Sequence, residues 1–172
     1  MLELMKTRRS IRAFQDREVE QEKIDSILKS GLLAPSGRAS RPWEFIVVTE
    51  KEKLHRLASC RERSSQFLAG APVGIVVAAD EKASTTWVED ASIAAAFMQL
   101  MVHSLGLGSC WIHVRERSYN DSKSSEEYVR EILNIPEHVR VLCILAIGYP
   151  AEEKAAHMED NLLYHKIHYN EY

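Results

Sequence analysis

The stretch from Thr86 to His113, TWVEDASIAAAFMQLMVHSLGLGSCWIH, restricts the folds open to this chain more than any other. Trp87, Ala91, Ala94, Ala95, Met98, Val102 and Leu105 recur at the spacing of one face of an α-helix, and Thr86 with Glu89 has the S/T-x-x-E form of a capping box at its start. The opposite side carries Ile93, Ala96, Phe97, Leu100 and Met101, so the helix is apolar almost all round and must be covered on both sides. A chain of 172 residues has few layers to offer. We therefore expect one side to lie on the chain's own sheet and the other on a second copy, because obligate dimer interfaces resemble a domain core cut in half. Gly106-Leu107-Gly108 ends the helix, with glycine supplying a left-handed cap, and SCWIHV continues as a strand.

The remaining segments read as partners for this helix within a single domain, residues 1–172. Residues 2–7 suggest a short helix leading into Arg8-Arg9-Ser10-Ile11-Arg12, which crowds three guanidinium groups and a hydroxyl into five positions. Such charges repel one another unless an anion sits among them, and arginine forks with a serine hydroxyl suit a phosphate. The other reading is a solvated basic turn. A helix from Glu20 to Leu33 is stopped by Pro35, and the segment Ala34 to Trp43, APSGRASRPW, is either a plain connection or a ligand loop offering amides, hydroxyls and two arginines.

Apolar runs at Glu44–Thr49, Val73–Ala79, Ser109–Val114 and Val139–Ile147 read as strands, the second and fourth apolar enough to be buried on both faces. Lys51 to Cys60 reads as a surface helix, and Ser124 with Glu127 caps another that Ile135-Pro136 stops, after a polar loop from Arg115 to Lys123. These strands alternate with helices, which gives a sheet covered on both faces. The tail from about 151 to 172 presents Leu162, Leu163, Tyr164, Ile167, Tyr169 and Tyr172, side chains that packing along a second subunit would bury.

A net charge of -3 argues against nucleic acid or a membrane surface recognised by bulk charge. No apolar run approaches the roughly 20 residues that span a bilayer, and the N-terminus lacks the apolar core of a signal peptide, so a cytoplasmic protein is expected. Cys60, Cys110 and Cys143 are odd in number and widely spaced, so they read as reduced thiols. His165 and His168 stand at i and i+3, but no further ligand completes a site and no metal is expected. His103 reads as a packed or interfacial residue. His113 reads likewise as packed or interfacial, at the expected ligand end of its strand, and Trp111 as a large core or interface group whose surroundings could include that ligand.

Taken together, R-R-S-I-R at 8–12, A-P-S-G at 34–37 followed by P-W at 42–43, E-D-A-S-I-A-A-A at 89–96, G-L-G-S-C-W at 106–111 and I-G-Y-P at 147–150 resemble the FMN-dependent nitroreductase family along nearly the whole chain. No piece is distinctive alone; their order and spacing are. The resemblance implies an α+β fold, a three-layer sandwich with a central, mostly antiparallel sheet flanked by helices, in an intertwined homodimer with FMN sites at the subunit interface. It also implies that Arg8, Ser10 and Arg12, with Arg9 assisting, hold the flavin phosphate, ribityl chain and pyrimidine edge. Pro35, Ser36 and Gly37 would reach the same flavin from the other subunit, while Gly106, Leu107 and Gly108 lie close to it. Many relatives carry an asparagine where this chain has Ala39, so Arg38 or Ser40 would take its contact; many also have a C-terminal basic pair for the phosphate, for which Lys154 and His157 are the candidates, Lys154 the preferred one.

The implied activity is oxidoreduction: NADH or NADPH gives a hydride to flavin N5, and a nitroaromatic, quinone or similar flat acceptor is reduced next in a ping-pong sequence. That chemistry belongs to the cofactor, so no catalytic side chain or metal is expected. The alternative is a flavin-binding sensor or cofactor-handling protein without fast turnover.

Overall fold

A computed structural model describes residues 1–172. The helices are α1 (Leu2–Thr7), α2 (Gln21–Leu32), α3 (Lys51–Ala58), α4 (Trp87–Ser104) and α5 (Ser125–Leu133). The strands are β1 (Trp43–Val48), β2 (Val73–Asp80), β3 (Gly108–His113), β4 (Ser118–Asn120), β5 (Lys123–Ser124) and β6 (Val139–Gly148). Strands β1, β2, β6 and β3 pair in that order, antiparallel throughout, while β4 and β5 make a small separate hairpin. That hairpin lies in the segment read from sequence as a polar loop; its strands are too short to show a period of two.

The two central strands are buried along nearly their whole length, and alternation assigns their side chains to two cores. Ile75, Val77 and Ala79 of β2 face α2 and α4, whereas Val76 and Ala78 face the layer of α3, α5 and the 3-10 turn Gln66–Gly70. On β6 the alternation slips once: Val77 pairs with Cys143 but Ala78 with Val141, so Leu142 is an inserted residue and both Leu142 and Cys143 turn to the α4 side. The result is the α+β, three-layer arrangement of helices, antiparallel sheet and helices.

Helix α4 buries Ala91, Ala94, Ala95, Met98 and Val102 against this sheet and α2. Its other side carries Ile93 and Phe97, 37% and 41% exposed, with Ala96 also exposed between them. The Thr86–Glu89 capping box expected at its start is absent, a correction with a clear cause. Thr86 is the N-cap, but its amide donates to Ser84 Oγ at 3.1 Å where the box would have Glu89, and its hydroxyl is turned to Asp90 Oδ2 at 3.2 Å. The Ser124–Glu127 box does form, with Ser124 Oγ accepting from Glu127 N at 3.1 Å. No helix is long and apolar enough to cross a membrane. Beyond Pro150 the tail makes only two short 3-10 turns, and Leu162, Leu163, Tyr164, Ile167, Tyr169 and Tyr172 are all exposed on the single chain.

An ion pair between a buried carboxylate and a half-buried arginine ties α5 to the sheet. Glu126, 7% exposed, receives Arg140 Nε at 2.7 Å, Arg140 Nη2 at 2.8 Å and the Val141 amide at 3.0 Å. Burial pushes its carboxyl up, yet the arginine fork and the amide together hold it below the usual range. A depressed carboxylate contributes stability above its unfolded value, near 4.5, and loses it as pH falls toward the lower folded value. We predict that Glu126→Gln costs about 1.5 to 3 kcal/mol at neutral pH. Urea denaturation checks this, and the gap between wild type and variant should narrow as the pH is taken below about 4.

Candidate functional site

Two places draw the predicted residues together, at opposite ends of α4. The first is a cleft of about 290 Å3 at the C-terminal end, lined by Arg8, Arg9, Leu107, Gly108 and Lys154. Its architecture follows from how three segments meet. Helix α1 ends at Arg8 in extended backbone, and the following residues run between two strand ends: the Ile11 amide donates to Ser109 O at 3.0 Å and the Gln15 amide to Tyr149 O at 2.9 Å. Leaving β6, the chain doubles back along the same segment, with the Ala151 amide on Ala13 O and the His157 amide on Lys6 O, each at 2.9 Å. The arginines are thereby clamped between the glycine turn and the start of the tail.

The glycine turn forms the remaining wall. Gly106 has φ +74°, a left-handed conformation costly for any residue with a side chain, and ends α4 as expected. A Cβ at Gly108 would stand 2.8 Å from that of Ile11, so only glycine lets the arginine segment lie this close to β3. Lys154 Nζ donates to Ser10 O at 2.7 Å and lies 3.4 Å from Glu152 Oε1. Arg9 donates to Ala155 O, fixing its guanidinium beside the tail.

The cleft is not uniformly basic. Glu152 and Glu153 line it too, an acidic contribution that sequence reading missed. Glu152 Oε1 accepts from the Arg12 amide and, at 3.2 Å, from the Ala13 amide, and these donors hold its carboxyl below the usual range. Its charge is therefore largely answered by backbone and by Lys154. His103, also unanticipated here, stands on the last turn of α4 with Nε2 2.8 Å from Thr7 Oγ1. Its position three residues before Gly106 was the available signal, since one helical turn separates them.

Ser10 and Arg12 adjoin the cleft without lining it. Ser10 bridges Ser109 through its backbone, and the Arg12 guanidinium rests 5.8 Å above the Phe67 ring, making no ion pair. Cys110 lies beneath; burial raises its thiol pKa more than Arg12 and Lys154 lower it, which leaves a protonated and poorly nucleophilic sulfur. His113 is at the far end of β3, about 17 Å from Gly108 at the rise of an extended strand, so the expectation that it lies near the cleft is not met by this chain alone. There Trp111 Nε1 donates to His113 Nδ1 at 3.4 Å.

The second place is the loop after α2, at the N-terminal end of α4. Asp90, 2% exposed, anchors it: Oδ1 accepts from the Gly37 amide at 2.7 Å, and Oδ2 accepts from Ser84 Oγ at 2.9 Å. Ser36 Oγ accepts from the Arg41 amide at 2.9 Å, closing the loop, while Pro35 stays exposed at its entrance. Arg38, Ala39 and Arg41 all have positive φ, at 52°, 55° and 48°, and Ser40 Oγ is buried without a hydrogen-bond partner. Non-glycine residues held this way cost free energy, and such strain concentrates where a loop is shaped for binding.

About 20 Å of helix axis separates Asp90 from Ser104, so within one chain Pro35, Ser36, Gly37 and Ser40 do not join Arg8 and Lys154. A larger open groove of about 760 Å3 lies elsewhere, between Phe14–Gln21, α3 and Ala69–Val73, and holds none of the predicted residues. The cleft at the end of α4 is the better candidate, because it gathers Arg8, Arg9 and Lys154 beside a turn that holds two glycines.

Comparisons with known proteins agree with this architecture. The sequence model of the nitroreductase family matches residues 5–60 and 54–149. An FMN-dependent nitroreductase of Clostridium difficile R20291 superposes with a TM-score of 0.98 and 51% identity, over 100% of each chain. A protein of Methanothermobacter thermautotrophicus, whose name proposes an NADH dehydrogenase/NAD(P)H nitroreductase, is 42% identical over 88% of this chain and 78% of its own length. An FMN reductase (NADPH) of Bacillus subtilis is 26% identical over 98% of this chain and 74% of its own. With a family match running across most of its length and relatives this similar, the chain belongs to the nitroreductase family.

Proposed function

We propose that this protein is an NAD(P)H-dependent flavin oxidoreductase that holds FMN in the cleft at the end of α4 and reduces a nitroaromatic, a quinone or a similar flat acceptor by a ping-pong mechanism. The observation that carries the reading is the pairing of a cationic cleft with a glycine turn in a nitroreductase fold. The donor set fits the group. Arg8, Arg9 and Lys154 supply charge for a phosphate, Ser10 and Arg12 adjoin it for the ribityl chain and the ring edge, and Gly106, Leu107 and Gly108 offer backbone with no bulky side chain in the way of a flat ring. The names of the Clostridium and Bacillus relatives support the same cofactor. Bound there, flavin supplies a position that accepts a hydride and gives it up again, and the protein's share is orientation and electrostatics. An exposed arginine without an acidic partner, as Arg12 is, can stabilise negative charge at the ring edge.

The working unit in this reading is a homodimer. A two-fold axis through the exposed patch of Ile93, Ala96 and Phe97 sets α4 against its copy in antiparallel fashion. That patch lies near the middle of the helix, so the N-terminal end of one α4 meets the C-terminal end of the other. The loop of Pro35, Ser36, Gly37 and Ser40 from a second copy is thus carried to the cleft at His103 and Gly106. The same pairing offers the exposed tail a surface. It also accounts for a strained loop with an unpartnered hydroxyl.

Apoprotein titrated with FMN and with riboflavin tests the cofactor assignment. Arg8→Ala should weaken FMN by roughly ten- to a hundredfold while leaving riboflavin, which lacks the phosphate, nearly unchanged. Equal losses for both flavins would remove Arg8 from the phosphate. Bleaching of the holoprotein by NADH or NADPH under nitrogen, followed by recovery with an acceptor, tests turnover; a flavin that stays oxidised would favour a sensor. For the dimer, Phe97→Asp should raise the dissociation constant by about a hundredfold or more, read by analytical ultracentrifugation, and FMN affinity should fall with it.

A further inference from the structure

His103 has two nitrogens, and its surroundings decide which carries the proton. Thr7 Oγ lies 2.9 Å from Glu3 O and 2.8 Å from His103 Nε2; with its one proton on the carbonyl, its lone pairs face the imidazole. In that arrangement Nε2 carries the hydrogen, and Nδ1 of the neutral ring is a bare acceptor with no hydrogen-bond partner in the chain. The ring lines the same cleft as Arg8, Arg9 and Lys154. An acceptor among cations is wasted on an anion; a donor is not.

We propose that His103 is a proton-coupled member of this anion site: when a phosphate monoester docks among Arg8, Arg9 and Lys154, the imidazole takes a proton from solvent at Nδ1 and donates it to a phosphate oxygen. Only the identity of the natural ligand rests on the flavin reading above.

The charges around the ring favour this switch. In the free chain burial first, and the Arg8 guanidinium second, hold the imidazole below the ordinary histidine value. The other charged groups facing the cleft are Arg9 after α1, and Glu152, Glu153 and Lys154 after β6. Glu152 is already engaged by the Arg12 and Ala13 amides and by Lys154, so it does little to charge the histidine. A phosphate dianion offsets the arginine, and the last turn of α4 presents the negative end of its dipole to an imidazolium. The bound form then holds one more proton than the free form, so His103 makes affinity rise as pH falls through the window between its free and bound pKa values. The phosphate's own second ionisation, near about 6, acts in the opposite sense, and comparison with a variant separates the two.

Two measurements test the proposal. In the first, the His103 ring resonance, assigned against His103→Gln, is titrated by NMR with and without inorganic phosphate, which asks nothing of flavin. The expected result is an upward shift of about one unit or more in its pKa with phosphate present. An unmoved titration overturns the proposal. In the second, calorimetry in buffers of different ionisation enthalpy counts protons taken up on FMN and riboflavin binding by the apoprotein. Wild type should take up more protons with FMN than His103→Gln does, and the two should match with riboflavin. His103→Gln should weaken FMN about tenfold near pH 6 and about twofold or less near pH 8. His103→Arg should restore FMN affinity without the extra proton, which separates charge donation from mere packing. Equal proton counts in wild type and His103→Gln overturn the proposal while sparing the flavin reading; failure of either flavin to bind sinks that reading and leaves the phosphate titration to decide His103.

Discussion

Everything in this fold is arranged about α4, a helix with no wholly polar side. Such a helix is stable only if apolar surface is taken from water along its whole length, and one chain covers half of it. The half facing the sheet is built from small residues, Ala91, Ala94 and Ala95, which let α2 and the strands approach the helix axis closely. Larger side chains there would push the layers apart and thin the core. The half carrying Ile93 and Phe97 is left for another surface. A single structural demand, covering one long apolar helix, thus fixes the layer order and also leads to the proposed two-fold assembly.

The ends of the same helix organise the polar chemistry. At its start Asp90 is buried and satisfied by Gly37, Ser84 and Thr86, so the first turn serves as an anchor for a strained loop and forgoes its usual capping box. At its finish Gly106 reverses the chain, and the cations from either end of the sequence are drawn to the negative end of the helix. Within a chain of net charge -3, that concentration is local. In the proposed reading it draws an anion to one cleft, against the negative charge of the chain as a whole.

Glu152 shows how the cleft balances its own charge. A carboxylate among arginines would cancel the attraction for a phosphate if it were free. Its oxygen is instead held by two backbone amides of the arginine segment, so it fixes that segment in place and takes part of its field from Lys154. The arginine side chains stay available. Clamping the backbone while no carboxylate pairs with the guanidinium groups of Arg8, Arg9 and Arg12 is a way to preorganise a site without filling it.

Much of this was legible in the sequence. Period and punctuation located the principal helices and the four strands of the main sheet, because apolar spacing reports directly on which side of an element meets a core. The order of five short motifs identified the family, and the crowding of Arg8, Arg9 and Arg12 suggested the anion site proposed above. Other features required the tertiary structure. The inserted residue Leu142 and the places of Glu152 and His103 in the cleft are set by neighbours distant along the chain. The separation of Pro35, Ser36, Gly37 and Ser40 from Arg8 and Lys154 is of the same kind. A sequence lists which groups can donate or accept. Which of the available partners each one takes is a matter of distance in space, and that is decided only when the layers have packed.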